Sequence, residues 1–422
     1  MIATPADLAR TTGIERTVLP NGLTVLSEFV PGVRSVALGA WVRAASVHEA
    51  RDVMGVSHLL EHMVFKGTAK RSAAQLAQSL EALGGSLDAF TSREHTSYQA
   101  RVLDEHLPQA ADVLADLVFS PLLRESDLAL ERKVVLEEIG MMEDAPDDLV
   151  FELHNEQLWG AHPFGYSILG TRETVGRMRT DDLRALHAAA YHPGRLVVGA
   201  AGNVTHAQLL AQLTEAGWAD RPAGATGVPE VATPSLVAPT EERVARDGAQ
   251  THLVFGSATI PHRDPRRHAL MLIDTVLGGG MSSRLFQRVR EELGLAYSVY
   301  AFQSFHQHAG SHGVYVATAP ETADAAVAAV RTELQKLVDD GIPAAELATA
   351  KQQLKGQIVL SLEGVGSRMY RAATFELFGE TPTPIDTLLE EIEGLDGGEV
   401  HAACQQFFRP EAQTLLRLGP QV

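Results

Sequence analysis

Apolar residues recur every three or four positions along Ala74–Leu83, His106–Val118 and Thr322–Leu337. That is the period of amphipathic helices, each with one face turned to a core. Shorter apolar runs between them read as strands. In the first half, Thr17–Leu19 and Leu23–Leu26 flank Pro20-Asn21-Gly22, a hairpin signal. Ser35–Val42 follows as a buried strand, and His252–Phe255 plays its part in the second half. Strands followed by runs of helices predict an α+β fold, with helices packed on one face of a mainly antiparallel sheet.

The pattern occurs twice. Glu125–Ile139 (ESDLALERKVVLEEI) reads like Ala344–Ile358 (AAELATAKQQLKGQI), 219 positions on. Thr180–Pro193 reads like Gly397–Pro410 at an offset of 217, and Leu83-Gly84 like Leu293-Gly294 at 210. Three matches in one order predict two copies of a unit of about 200 residues. Arg221–Pro239, with four prolines and few apolar periods, reads as a semi-extended linker. The expected organisation is therefore a domain over 1–220, a linker over 221–240 and a homologous domain over 241–422.

Composition narrows the function classes. Apolar residues make up 45% and charged residues 21% of 422, which excludes a fibrous or wholly disordered chain. A single cysteine, Cys404, excludes an intramolecular disulfide and a cysteine-based zinc cluster. It stands in a helical stretch and reads as core. The net charge of −18 argues against nucleic acid and anionic membranes as partners. No run of 18 or more apolar residues occurs, and MIATPADLARTTGIER has no apolar signal core, so the expectation is a soluble cytoplasmic protein.

The sharpest chemical feature is His58-Leu59-Leu60-Glu61-His62. On a helix, His58 and His62 lie one turn apart on one face and can share a metal ion. Glu61, one residue before the second histidine, can act on a water held there. The flanks Val56, Leu59, Leu60, Met63, Val64 and Phe65 are apolar, which puts this polar face in a cleft or in the core. Catalytic zinc takes three protein ligands and keeps a fourth position open. The acid-rich segment Glu131–Asp144 is the candidate source of the third; Glu131 and Glu138, two turns apart, share a face beside its apolar stripe. Weaker signals read blandly. Gly278–Gly280 has no following Gly-Lys-Ser/Thr and reads as a loop, and His306, His308 and His312 read as a solvated loop.

The His-x-x-Glu-His order is the inverted zincin pattern. With Gly55–Thr68 (GVSHLLEHMVFKGT), Asp88–Glu94 (DAFTSRE), the ERKVVLEEI run, His162–Thr171 (HPFGYSILGT) and Ser282–Val299, the chain resembles the pitrilysin/insulinase family. The likeness covers nearly the whole chain and is greatest to the family's mitochondrial-processing-peptidase-like bacterial branch. It implies a zinc endopeptidase that cleaves short or unfolded peptides inside a cavity enclosed by two homologous α+β domains. It implies one Zn2+ per chain on His58, His62 and Glu138, with Glu61 as general base and Glu131 as a supporting acid. Asp88, Ala89, Phe90 and Thr91 resemble the edge strand on which substrate peptide adds as a further strand; the family usually has Asn where Asp88 stands. Arg290 and Tyr297 resemble an Arg/Tyr pair that the second half lends to catalysis. Under the 219 offset Glu138 matches Gln357 and Glu131 matches Ala350, so only the first copy carries the chemistry. Expected partners are peptides and, by resemblance, a second copy of the chain or an inactive homologue in a heterodimer. The rival readings are a non-catalytic scaffold and a peptide-binding homologue. The complete set His58, Glu61, His62 and Glu138 argues against the scaffold.

Overall fold

The computed structural model describes residues 12–224 and 227–420. Most of the N-terminal stretch expected to lack a signal core, and two positions of the linker, lie outside the described residues. The chain divides into two compact units.

The first unit is built on a six-stranded sheet. Its strands are β1 (Ile14–Val18), β2 (Thr24–Phe29), β3 (Ser35–Val42), β4 (Ser86–Thr91), β5 (Thr96–Leu103) and β6 (Leu196–Gly202). Their order is β1-β2-β6-β3-β5-β4, and only β2 and β6 run parallel. The second unit has a five-stranded sheet of β7 (Glu241–Ala245), β8 (Thr251–Thr259), β9 (Ala296–Phe305), β10 (Gly310–Thr318) and β11 (Thr414–Gly419). Its order is β7-β11-β8-β10-β9, again with a single parallel pair, β7 and β11. From β2 outward the first sheet has the same connectivity and the same strand senses as the second. The duplication read from the sequence is thus a duplication of topology. Its local marks coincide: Gly84 and Gly294, both left-handed, stand two residues ahead of β4 and β9. The matched helices are Glu125–Asp144 with Ala344–Ser361, and Thr180–Ala190 with Gly397–Phe407.

One face of each sheet carries most of its helices. In the first unit the core there joins Leu38, Ala40 and Val42 of β3 to Leu59, Leu60, Met63, Leu114, Leu128 and Val135 from the helices. The opposite face is covered as well, by helices that no local pattern assigns to it. Helices Pro146–Trp159 and Val365–Leu377 hold equivalent places in the two copies, 219 positions apart. Each packs in the unit of the other copy. The first unit comprises Met1–Gly140, Tyr166–Val231 and Ser361–Ile385, and the second Met141–Gly165, Ala232–Leu360 and Asp386–Val422. Val365, Met369, Ala372 and Ala373 close over Leu26, Ala37, Trp41, Val197 and Ala201. Glu376 clasps the helix to Arg16 at 2.8 Å and Arg43 at 2.9 Å, and Arg368 pairs with the buried Glu28. In the second unit, Val150 enters a core with Val254, Tyr315 and Leu416, and Phe151 stacks on Tyr315 with ring centroids 5.4 Å apart.

His312 corrects one sequence reading. It lies on β10, not in a solvated loop, and is buried; its Nε2 meets the Phe407 carbonyl at 3.0 Å and its ring packs on Phe408. The histidine-rich stretch hid this because the strand begins at Gly310. Burial pushes His312 down to about 4, against the Phe407 carbonyl that favours the charged form. Burial also pushes His154, packed beneath Gly256, down to about 4. Both therefore fold neutral, while in the unfolded chain they charge near pH 6.5. Between about pH 6.5 and 4 the unfolded state takes up protons that the folded state refuses, so stability falls as pH falls. Each group contributes a slope of up to about 1.4 kcal/mol per pH unit. Melting temperatures across that window should drop steeply, and less steeply in His312→Asn; an unchanged slope in that variant would discount the histidine.

Candidate metal centre

The helix Val56–Val64 carries the motif. Val56, Leu59, Leu60, Met63 and Val64 are buried, so the remaining stripe of His58, Glu61 and His62 faces away from that core and is half-buried. The start of the helix is set by close packing. Gly55 has φ +91°, and a Cβ there would stand 2.6 Å from the Leu169 carbonyl oxygen. Glu49, itself buried, accepts the backbone N–H of Gly55 at 2.7 Å and of Ser57 at 2.8 Å. It satisfies two donors that a helix N-terminus leaves open, and the positive end of the dipole favours its ionised form. Burial pushes its carboxyl up to about 7, against those hydrogen bonds.

The second element is the helix Glu125–Asp144, anchored by buried Leu128, Val135 and Ile139. It brings Glu138 against the histidine face. One ligating atom each from His58, His62 and Glu138 lie within 4.8 Å of one another, the only such group of three among the described residues. Glu138 Oε2 is 3.7 Å from His58 Nε2 and 3.6 Å from His62 Nε2. That oxygen is buried and makes no hydrogen bond among the described residues. An anionic oxygen held without a donor between two imidazole nitrogens is a costly arrangement unless a cation completes it. The donor set, two imidazoles and a carboxylate, is one that catalytic zinc uses. The residues fit a divalent metal, and His58, His62 and Glu138 would hold it. Burial, and then the neighbouring His62, push His58 down to about 4, so its imidazole is neutral at physiological pH, the form a metal needs.

Around this trio stand four further side chains, Glu131, Lys66, Glu61 and Thr91. His62 Nδ1 is 3.2 Å from Glu131 Oε2, and Glu131 Oε1 is 2.7 Å from Lys66 Nζ. Thr91 donates its hydroxyl to Glu61 Oε2 in a short hydrogen bond. Burial raises the Glu61 carboxyl above the usual carboxylate range; the Thr91 bond opposes that, and the charge of Glu138 adds to it. Thr91→Val keeps the shape and deletes the donor. We expect kcat to fall about tenfold with zinc content unchanged; peptide turnover and metal analysis together check it.

The other predicted residues are placed as follows. β4 is the sheet's edge strand and, among the described residues, pairs with β5 alone. Asp88 and Phe90 are exposed along it, Ala89 is half-buried and Thr91 turns inward. Arg290 and Tyr297 lie in the second unit, on the helical turn Phe286–Glu292 and at the start of β9. The Arg290 guanidinium stacks 4.2 Å from the Tyr297 ring centre and donates to the Tyr297 carbonyl at 3.2 Å. Sequence reasoning missed Glu49 and Lys66. Lys66 carried a signal, standing four residues after His62; Glu49, nine residues before His58, carried none.

Comparison with known proteins places the chain in a family. The model of the insulinase family (peptidase family M16) matches residues 24–172, and that of the peptidase M16 inactive domain matches 177–354. The chain belongs to peptidase family M16. It is 39% identical to the uncharacterized zinc protease YmxG of Bacillus subtilis over 409 residues, 96% of this chain and 98% of that one. It is 38% identical to the uncharacterized zinc protease SCO5738 of Streptomyces coelicolor over 414 residues, 96% and 90% of the two chains. Names of this kind support a zinc peptidase function for this M16 chain. The fold is that of a peptidase M16 inactive domain from Pseudomonas fluorescens, with TM-score 0.91, 21% identity and 97% and 98% of the chains covered. A protease from Helicobacter pylori shares it at TM-score 0.89 and 20% identity, over 97% and 100%. No helix among the described residues is long and apolar enough to cross a membrane.

Proposed function

We propose that the protein is a zinc-dependent endopeptidase acting on extended, unfolded peptide segments. One observation carries the reading: the buried, unpartnered Glu138 Oε2 faces two imidazole nitrogens, beside a carboxylate on the same helix turn. Zinc, when bound, supplies Lewis acidity, polarising a carbonyl and lowering the pKa of water. The chain's own residues do the rest. Glu61 accepts the proton of the attacking water and returns it to the leaving amine. Thr91 fixes the orientation of the Glu61 carboxylate before substrate arrives. The free edge of β4 offers unpaired backbone groups to an added strand, and only extended substrate can use them. The exposed Asp88 and Phe90 then meet alternate side chains of that strand.

The test is a quenched fluorogenic peptide assayed with the purified protein. Hydrolysis is expected to vanish after a strong chelator is applied and removed, and to return with one equivalent of Zn2+ per chain. Turnover that persists in the metal-free protein would reject the proposal.

A further inference from the structure

We infer that Lys66 is a positioning residue for the metal centre, acting through Glu131 on the imidazole of His62. The inference rests on the zinc site proposed above. Its starting point is the chain of contacts Lys66 Nζ–Glu131 Oε1 at 2.7 Å, Glu131 Oε2–His62 Nδ1 at 3.2 Å and His62 Nε2–Glu138 Oε2 at 3.6 Å. Each link uses a different atom. Lys66 takes one oxygen of Glu131 and His62 the other, so the plane of the carboxylate is fixed from both sides.

An ordinary surface ion pair would decide little. This one differs because the Glu131 side chain is only 8% exposed. Among the described contacts, Lys66 is the one lysine or arginine that reaches it. A buried carboxylate oxygen stripped of its donor costs free energy and turns towards any other donor it can find. The turn would take Oε2 away from His62. With Oε2 in place, His62 donates Nδ1–H to Glu131 and presents the lone pair of Nε2 to the cation; partners of this kind tune a metal's affinity.

The direction of the lysine is itself built in. Lys66 follows the end of the histidine helix, and its N–H bonds the Met63 carbonyl at 3.2 Å. Its carbonyl accepts from Arg124 Nη2 at 2.9 Å. The backbone is thus held on both sides where the side chain leaves for Glu131. Lys66 stands four positions after His62, so one turn of chain sets both ends of the relay.

The experiment measures zinc affinity by competition with a chromogenic chelator on the full chain. Its set is wild type, Lys66→Met, Lys66→Gln, Lys66→Arg, Glu131→Gln and the double variant Lys66→Met/Glu131→Gln. The melting temperature of each metal-free protein is recorded alongside, and Lys66→Gln stands in if Lys66→Met does not fold. Loss of the ammonium should weaken zinc binding about tenfold, in a metal-free protein that still unfolds cooperatively, its melting lowered by a few degrees at most because the stripped Glu131 oxygen turns to another donor. Lys66→Arg should recover most of the affinity. In the Glu131→Gln background, Lys66→Met should add no further loss, because the relay is already cut. Wild-type affinity in both Lys66→Met and Lys66→Gln would overturn the role of Lys66 and leave the zinc site standing. So would a full additive loss on top of Glu131→Gln. A wild-type chain that takes up no zinc would overturn both.

Discussion

Replacing Glu61 by glutamine is expected to abolish turnover while leaving zinc in place. The amide keeps the shape of the side chain and can still accept the Thr91 hydroxyl, the short contact that orients it. It cannot take a proton. Positioned acid–base groups contribute about 10²–10⁴-fold to rate, so kcat on a fluorogenic peptide should fall by about 10³. Zinc per chain should match wild type, because Glu61 is not one of the three converging ligand residues. Peptide should still bind. This variant separates a peptidase from a zinc-holding peptide binder, in which the substitution would change nothing measurable. A kcat within a few-fold of wild type would remove Glu61 from the mechanism.

The second large effect lies far from the chemistry. Ala372 is fully buried beneath the first sheet, on the helix Val365–Leu377 that the second half of the sequence sends there. Ala372→Asp would place an unpaired charge among Leu26, Trp41, Val197 and Met369. Buried unpaired charges are among the few single changes that cost more than about 4 kcal/mol. The seal at risk is of similar size, since burial of Val365, Met369 and the two alanines contributes about 5 kcal/mol by apolar area. Urea unfolding followed by tryptophan fluorescence should show the first unit melting early, with loss of the metal centre it carries. Ser367→Asp, an exposed control on the same helix, should shift stability by less than about 0.5 kcal/mol. Equal unfolding of Ala372→Asp and wild type would mean that this helix does not seal the first sheet in solution.

That helix also marks what the sequence could not convey. The duplication was legible because its matches are local: a helix text, a Leu-Gly turn and a strand after it. The exchange of Pro146–Trp159 and Val365–Leu377 between units was not, because an amphipathic face says that it must be covered and never by which sheet. The site followed the same division. His58, Glu61 and His62 are fixed by helical spacing, and the seven-residue interval from Glu131 to Glu138 put both on one face. The structure then separates those two acids, Glu131 reaching Nδ1 and Glu138 facing Nε2. Glu49 was silent because its bonds to the backbone N–H groups of Gly55 and Ser57 need no particular residue types at those positions and so leave no motif. His312 misled because the histidines it was grouped with, His306 and His308, lie in the turn before the strand that buries it.

The most direct test of the metal centre is zinc K-edge X-ray absorption on protein loaded with one equivalent of zinc. The account predicts a shell of nitrogen and oxygen at about 2.0–2.1 Å, with outer scattering from two imidazoles that drops to one in His58→Ala. An all-oxygen shell, or imidazole scattering that the substitution leaves unchanged, would contradict it.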